Sequence, residues 1–320
     1  MRLFLYEHIT ATVADPSSSL FLEGRAMRDA LAEDLRRIDD VELVEFDPAL
    51  GFDGCLERAD VAWVIAPEFD HILIDFAQRV EHSGRTLIGP TSAAIRLASD
   101  KLMLHDHWKR HGLPTPETRR ADRFPEWTWD LPWIVKPIDG AGSTATTIVR
   151  NVRDWPGAIR RGTEAGFTSD RLIVQPWHSG TACSVSLIHG QPLQPMIQVL
   201  EGDNELAYVG GRYEADWASD RLIPMAMQAI SSVPGLQGYV GVDLIDAGDP
   251  SGPVAIEINP RLTTSYVGLR LMTDENLAER VLFADRFDAA VAWKSVFHLH
   301  FDSAGRGQIH EKPDGGGKAF

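Results

Sequence analysis

Cysteine is almost missing: 320 residues hold two, Cys55 and Cys183, with no CxxC spacing. That argues against a disulfide framework or a thiolate zinc site, and it suits a reducing cytoplasm. No apolar run approaches the roughly 20 residues that a membrane-spanning helix needs, so no membrane partner is expected. The opening MRLFLYEHIT alternates and carries an early glutamate, so it reads as a strand and not as a signal peptide. Positive charge is in deficit, with 31 basic against 46 acidic residues and a net charge of −15. A surface of that sign repels phosphodiester backbones, which disfavours a nucleic-acid partner. No internal repeat is visible.

What is present is a soluble globular composition, 44% apolar and 24% charged. The length exceeds one small core and implies two or three subdomains in one body. Residues 1–90 alternate strand and helix signals. RLFLYEHI, VELVEF, ADVAWVIAP and TLIGP read as strands. Met27, Leu31, Leu35 and Ile38 follow helical spacing over about 20–38, and a second helix is expected over 70–83. This alternation predicts an α/β unit with a Rossmann-like parallel sheet. In such sheets ligands sit beyond the C-terminal strand ends, so Glu7, His8 and Thr10 either line a crevice or form a solvated loop.

Residues 91–177 read as a small α+β unit. Its helix, SDKLMLHDHWKRHG, is capped by Ser99 or Asp100 and stops at Gly112. From 178 to 302 a mainly antiparallel sheet is expected, with helices over 218–232 and 263–284. The polar, Gly-rich stretch 303–320 reads as a mobile tail.

Three segments carry chemistry. In VAIEINPRLTT, Glu257, Asn259 and Arg261 share one strand face by period-2 geometry. GYVGVDLIDA places Asp243 inside an otherwise apolar strand. If the two strands pair, three hard oxygen donors converge as Mg²⁺ requires. Alternatively the acids face solvent or pair with Arg261 and Arg270. In IVKPIDGAGSTATT, Lys136 leads into a Gly/Ser loop containing Gly140, Gly142 and Ser143. The loop is either a hairpin turn or a phosphate cradle, but an unpaired lysine in an apolar strand is costly. Lys101 opens a helix, where its charge opposes the dipole unless an anion binds. In LIVQPWHSG, a strand breaking at Pro176 is either a hinge or, through Gln175, an adenine contact. The pairs His105/His107 and His298/His300 lack an obvious third ligand. Arg212 and Tyr213 could line a substrate site or a surface turn.

The ordered series Lys101, VKPIDGAGS, VQPWHSGTACSVSL, GVDLI and EINPR resembles the ATP-grasp superfamily over roughly residues 90–285. The resemblance implies an ATP-grasp fold and an ATP-dependent carboxylate–amine ligase working through an acylphosphate. Lys101 and Lys136 would contact ATP phosphates, under a mobile loop of residues 139–144. Gln175 and the backbone near Trp177 and His178 would hold adenine. Asp243, Glu257 and Asn259 would bind one or two Mg²⁺ ions, with Mn²⁺ as the alternative. Arg261 would stabilise the transferring phosphoryl group. Glu7, Thr10, Arg212, Arg261 and Thr263 are the candidates for substrate contact. One departure concerns the hinge, where the family often carries two glutamates and this chain has Pro176 and Ala182; a ribose contact should be lost.

EINPRLTTSYVGLR and LFLYEHIT further resemble the tyramine–glutamate ligase family of methanofuran-type cofactor synthesis. That implies glutamate and an amine as substrates, and it fits a cytoplasmic homodimer. Another amino-acid or dipeptide ligase, or a nucleotide-binding sensor of the same fold, are the rivals.

Overall fold

Strand β1 (Arg2–Glu7) is buried along its whole length after Arg2. A strand covered on both faces fits a parallel sheet clothed by helices. The chain is represented by a computed structural model that describes residues 1–13, 15–122, 129–140, 142–215, 217–311 and 318–319. After β1 come α1 (His8–Thr12), α2 (Ser19–Arg36), β2 (Glu42–Val44), α3 (Gly51–Leu56), β3 (Val61–Ile65), α4 (Ile72–His82) and β4 (Thr86–Leu87). The strands form a parallel sheet in the order β2-β1-β3-β4. Phe4, Tyr6 and Val64 pack with Phe52, Leu73 and Ala77 of α3 and α4. Leu3, Leu5 and Trp63 pack on Met27, Leu31 and Leu35 of α2. The same core continues to Tyr266, Leu269 and Phe301, so α2 is clasped between the N-terminal and C-terminal parts.

Next come α5 (Ser92–Ser99), α6 (Lys101–Arg110), β5 (Arg119–Arg120), β6 (Trp133–Pro137), β7 (Thr147–Val149), α7 (Trp155–Glu164) and β8 (Leu172–Pro176). The small antiparallel sheet runs β5-β8-β6-β7. Helix α7 closes it through Trp155 and Ala158 against Trp133, Leu172 and Val174. Asp100 caps α6 by accepting from Leu102 N and Met103 N at 2.9 and 2.8 Å. The expected grouping of 91–177 needs correcting here. Ala94, Ala98, Leu104 and Trp108 of α5 and α6 pack with Cys183, Val185 and Val242, so both helices belong to the core of the large sheet.

That sheet contains β9 (Thr181–Ile188), β10 (Gln191–Pro192), β11 (Met196–Glu201) and β12 (Ala207–Glu214). It is completed by β13 (Tyr239–Asp246), β14 (Val254–Asn259), β15 (Val296–Asp302), β16 (Gly307–Glu311) and β17 (Lys318–Ala319). Helix α8 (Ser219–Ser231) precedes β13, and α9 (Ser265–Leu269) and α10 (Leu277–Leu282) follow β14. The order is β14-β13-β9-β11-β12-β15-β16-β17, with β10 on β9 and every pairing antiparallel. Two expectations change. The single helix over 263–284 is two short ones, because Thr273 bridges to Trp293 and its hydroxyl donates to Ala292 O at 2.7 Å. The tail expected from 303 instead adds β16 beside β15; its residues 312–317 and 320 lie outside the described residues. Among the described residues, no helix is long and apolar enough to cross a membrane.

Candidate active site

The register of β13 and β14 sets Asp243 opposite Glu257 and Gly241 opposite Asn259. Gly241 is a glycine for space, since a Cβ there would stand 2.8 Å from Thr263 Cγ2. Asn259 Nδ2 donates to Asp243 Oδ2 at 3.1 Å, which leaves the amide oxygen turned away from that bond. Asp243 Oδ1 is buried with no hydrogen-bond partner. Burial, and then the neighbouring Glu257 charge, push the Asp243 carboxyl up to about 7. Burial pushes Glu257 the same way, but Lys101 and Lys136 outweigh it and hold Glu257 below the ordinary carboxylate range. Two acids and an amide oxygen, one acid oxygen orphaned, are a donor set that suits a hard divalent cation.

Both lysines reach this set from other elements. Lys101, at the start of α6, lies 3.0 Å from Glu257 Oε2 and donates to Gly140 O at 2.9 Å. Lys136 projects from β6, and its burial lowers its pKa to about 8 despite the Glu257 charge. The loop after Lys136 turns sharply. Gly142 and Ser143 are consecutive left-handed residues at φ 61° and 60°, and Ala145 is left-handed at 52°. A non-glycine residue held there costs about 1–3 kcal/mol, and such strain gathers at ligand clamps. Ala141 of the expected mobile loop lies outside the described residues.

Arg261 follows β14 and meets a residue that sequence reasoning missed. Glu68, just beyond β3, takes Arg261 Nε at 2.9 Å and Nη2 at 3.1 Å. Both side chains are buried. Burial works against the Arg261 charge, and Glu68 more than offsets it, raising the guanidinium pKa. Its position three residues past a buried parallel strand was the available signal.

Apart from Glu68, these groups border one cavity of about 710 Å³ between the small and large sheets. Lys101, Lys136, Gly140, Gly142, Ser143, Trp177, His178, Arg212, Asp243, Glu257, Asn259, Arg261 and Thr263 line it. Glu7, Thr10 and Gln175 do not, nor do His8 and Tyr213. Glu7 caps α1 instead, accepting from Ile9 N at 3.0 Å and Thr10 N at 2.6 Å. It is so tightly packed that a Cβ on Gly24 would come within 2.7 Å of its carboxylate. Thr10 belongs to that same cap. Gln175 points away from the cavity and donates to Thr118 Oγ1 at 2.8 Å. The backbone N–H of Trp177 is also engaged, donating to Pro132 O at 2.9 Å. Ala182 lines the cavity. His105 and His107 diverge, His107 pairing with Ser232 O at 2.7 Å and His105 lying 3.9 Å from Glu117. Glu23 and Tyr208 also line the cavity and were not anticipated; of the pair His298 and His300, only His300 lines it.

The constellation of two lysines, a Gly/Ser loop and a carboxylate–amide pair on adjacent strands has a match. The model of the ATP-grasp domain matches residues 98–265, just over half of the chain. This chain belongs to the ATP-grasp family. A pre ATP-grasp domain model matches residues 26–95, where the parallel sheet lies. Among relatives, tyramine–L-glutamate ligase of Methanocaldococcus fervens is 28% identical over 258 residues, 78% of this chain and 77% of that one. The enzyme of the same name from Methanocaldococcus jannaschii is 30% identical over 71% of this chain and 63% of its own length. Among solved structures, an ATP-grasp superfamily protein from Archaeoglobus fulgidus aligns with a TM-score of 0.69 at 25% identity. That alignment covers 100% of this chain and 98% of the other.

Proposed function

We propose that this ATP-grasp protein is an ATP-dependent carboxylate–amine ligase that joins L-glutamate to an amine of the tyramine class. The observation that carries the reading is the facing pair Asp243 and Glu257 with Asn259, set in one cavity with Lys101, Lys136 and Arg261. The orphaned Asp243 Oδ1 supports a cation at these oxygens, so Asp243, Glu257 and Asn259 would hold Mg²⁺ or Mn²⁺. When bound, such an ion neutralises phosphate charge and polarises the phosphoryl group under attack.

The residues of the chain do the rest by position and charge. Lys101 and Lys136 face the phosphates of ATP, and Lys136 at about 8 is mostly charged at neutral pH. The strained turn at Gly142 and Ser143 presents backbone to the same phosphates. A carboxylate oxygen of glutamate attacks the γ-phosphorus, and the bond to ADP breaks to leave an acylphosphate. Arg261, held by Glu68, offers its positive charge to that group. The amine nitrogen then attacks the acyl carbon, phosphate leaves, and the nitrogen loses a proton. No protein nucleophile is required: Cys183 is fully buried and its thiol pKa is pushed far up by burial. Both cysteines are free and buried, which supports a cytoplasmic setting.

The test is phosphate release from MgATP with L-glutamate, with and without tyramine, beside a panel of other amines. Release that needs both partners, with the amide seen by mass, is the expected result. Release with another amine keeps the ligase and replaces tyramine. No release with any pair, despite measurable ATP binding, overturns the reading.

A further inference from the structure

Helix α2 carries a carboxylate that the fold does not use. Glu23 is only 9% exposed and lines the cavity. Among the described residues it has no hydrogen bond and no ion pair. A Cβ on Gly142 would lie 3.7 and 3.8 Å from the two Glu23 oxygens, and 3.2 Å from Leu20 Cδ2. Arg261 is near enough to lower its pKa, yet the guanidinium is already committed to Glu68 and Leu262 O. Tyr208, whose phenol oxygen accepts from Thr264 Oγ1 at 2.9 Å, feels the same charge.

An unpaired buried carboxylate is among the least favourable groups a fold can hold. It persists where a ligand completes it. The ligand that completes Glu23 must donate hydrogen bonds, carry positive charge and enter through the cavity. Phosphate groups are repelled there. A metal ion would need further oxygen donors, and those sit on β13 and β14. A substrate ammonium group meets all three conditions.

We propose that Glu23 is the anionic half of an ammonium-binding subsite, holding the protonated amine of a substrate at the wall of the cavity near Arg261. This rests on the ligase reading. The ammonium can come from the amino-acid substrate or from the acceptor amine, and Glu23 is a specificity residue in either case.

Steady-state kinetics of the wild type, Glu23→Gln and Glu23→Asp test it, with L-glutamate, glutarate and tyramine as variable substrates. Glutarate lacks only the α-ammonium. Losing a charged hydrogen bond should raise KM for the ammonium-bearing substrate by about ten- to a hundredfold, while KM for MgATP stays within about twofold. Glu23→Asp should recover part of the loss. If the α-ammonium is the ligand, the wild type prefers L-glutamate to glutarate and Glu23→Gln erases that preference. If the acceptor is the ligand, KM for tyramine rises and the preference survives. Both results support the subsite. Unchanged KM values for both substrates, or a uniform loss that includes MgATP, overturn it. Should the wild type release no phosphate with any pair, the ligase reading falls by itself. The subsite is then judged by calorimetric titration of L-glutamate and tyramine, and equal or absent binding to wild type and Glu23→Gln refutes it.

Discussion

Glu23 and Asp34 lie eleven residues apart on α2, about three helical turns, and so on nearly the same face. Both are buried. Asp34 accepts from Tyr266 Oη at 2.6 Å and from Arg270 Nε and Nη2 at 2.8 and 2.6 Å, and its carbonyl takes Asn276 Nδ2 at 2.8 Å. Glu23 accepts from nothing among the described residues. Strand β13 repeats the contrast. Asp246 pairs with Arg221 at 2.7 Å and accepts Gly248 N at 3.0 Å, while Asp243 keeps an orphaned oxygen. An acid that serves the fold arrives with its partners, because a buried charge without them is costly. An acid left incomplete at a cavity wall marks where a ligand completes the arrangement. Burial alone therefore does not separate structure from function; satisfaction does.

The largest effect expected from breaking this contrast is at the incomplete end. Glu257→Gln replaces the carboxylate opposite Asp243 by a poor cation ligand. Turnover should fall by on the order of 10³-fold or more, the scale of losing a main electrostatic contact in a reacting site. Stability should fall as well, because Lys101, 3.0 Å away, and the buried Lys136 lose their counter-charge, so turnover is read per folded molecule. Phosphate release and a melting curve on one preparation check both halves, and near wild-type turnover would remove Glu257 from the site. Asp34→Ala should cost stability alone. It strips Arg270 and Tyr266 of their shared acceptor and leaves Arg270 only the exposed Glu33, 3.1 Å away. Breaking a buried pair in this way costs about 3–5 kcal/mol of stability. Turnover per folded molecule should stay near wild type in urea-free buffer at low temperature.

How much of this could be read from residues follows the same divide. Asp243, Glu257 and Asn259 were legible because polar residues inside apolar strands violate the alternation that burial imposes. Lys136 was legible for the same reason. Glu23 and Asp34 carried a fainter version of that signal: they fall on the apolar stripe of Met27, Leu31 and Ile38 at helical spacing. A stripe broken by acids looks like a surface helix until a second sheet is known to cover it, and that cover comes from residues 266–301, far along the chain. Glu68 was hidden because its partner Arg261 is 193 positions away. Glu7 and Gln175 misled because a polar side chain at a strand end can face a ligand or serve the fold: Glu7 bonds to its own loop, and Gln175 bonds to Thr118, 57 positions away. The parallel sheet was legible from the alternation of strand and helix signals over residues 1–90. Helices α5 and α7 were passed over, and the allegiance of α5 and α6 to the large sheet depends on packing that no local pattern encodes.

The smallest effect is a tilt of stability with pH that should belong to Glu23 and not to Asp34. Burial pushes the Glu23 carboxyl up to about 7, from 4.5 in an unperturbed chain. Between those values the folded protein keeps a proton that the unfolded chain has released. Stability rises with pH only where the unfolded state holds more protons, so this group makes the ligand-free protein less stable as pH rises through that window. Asp243 titrates in the same direction, so the raw slope is a sum; the difference between wild type and Glu23→Gln isolates Glu23. Melting temperatures of the two proteins, measured without nucleotide or divalent ion, should converge toward the acid end of the window. They should separate toward pH 7, with Glu23→Gln the higher. A substrate ammonium that seats on Glu23 should close that gap by favouring the charged form of the wild type. Parallel curves across the window would mean that Glu23 is already satisfied in the folded protein, and the contrast with Asp34 would lose its physical basis.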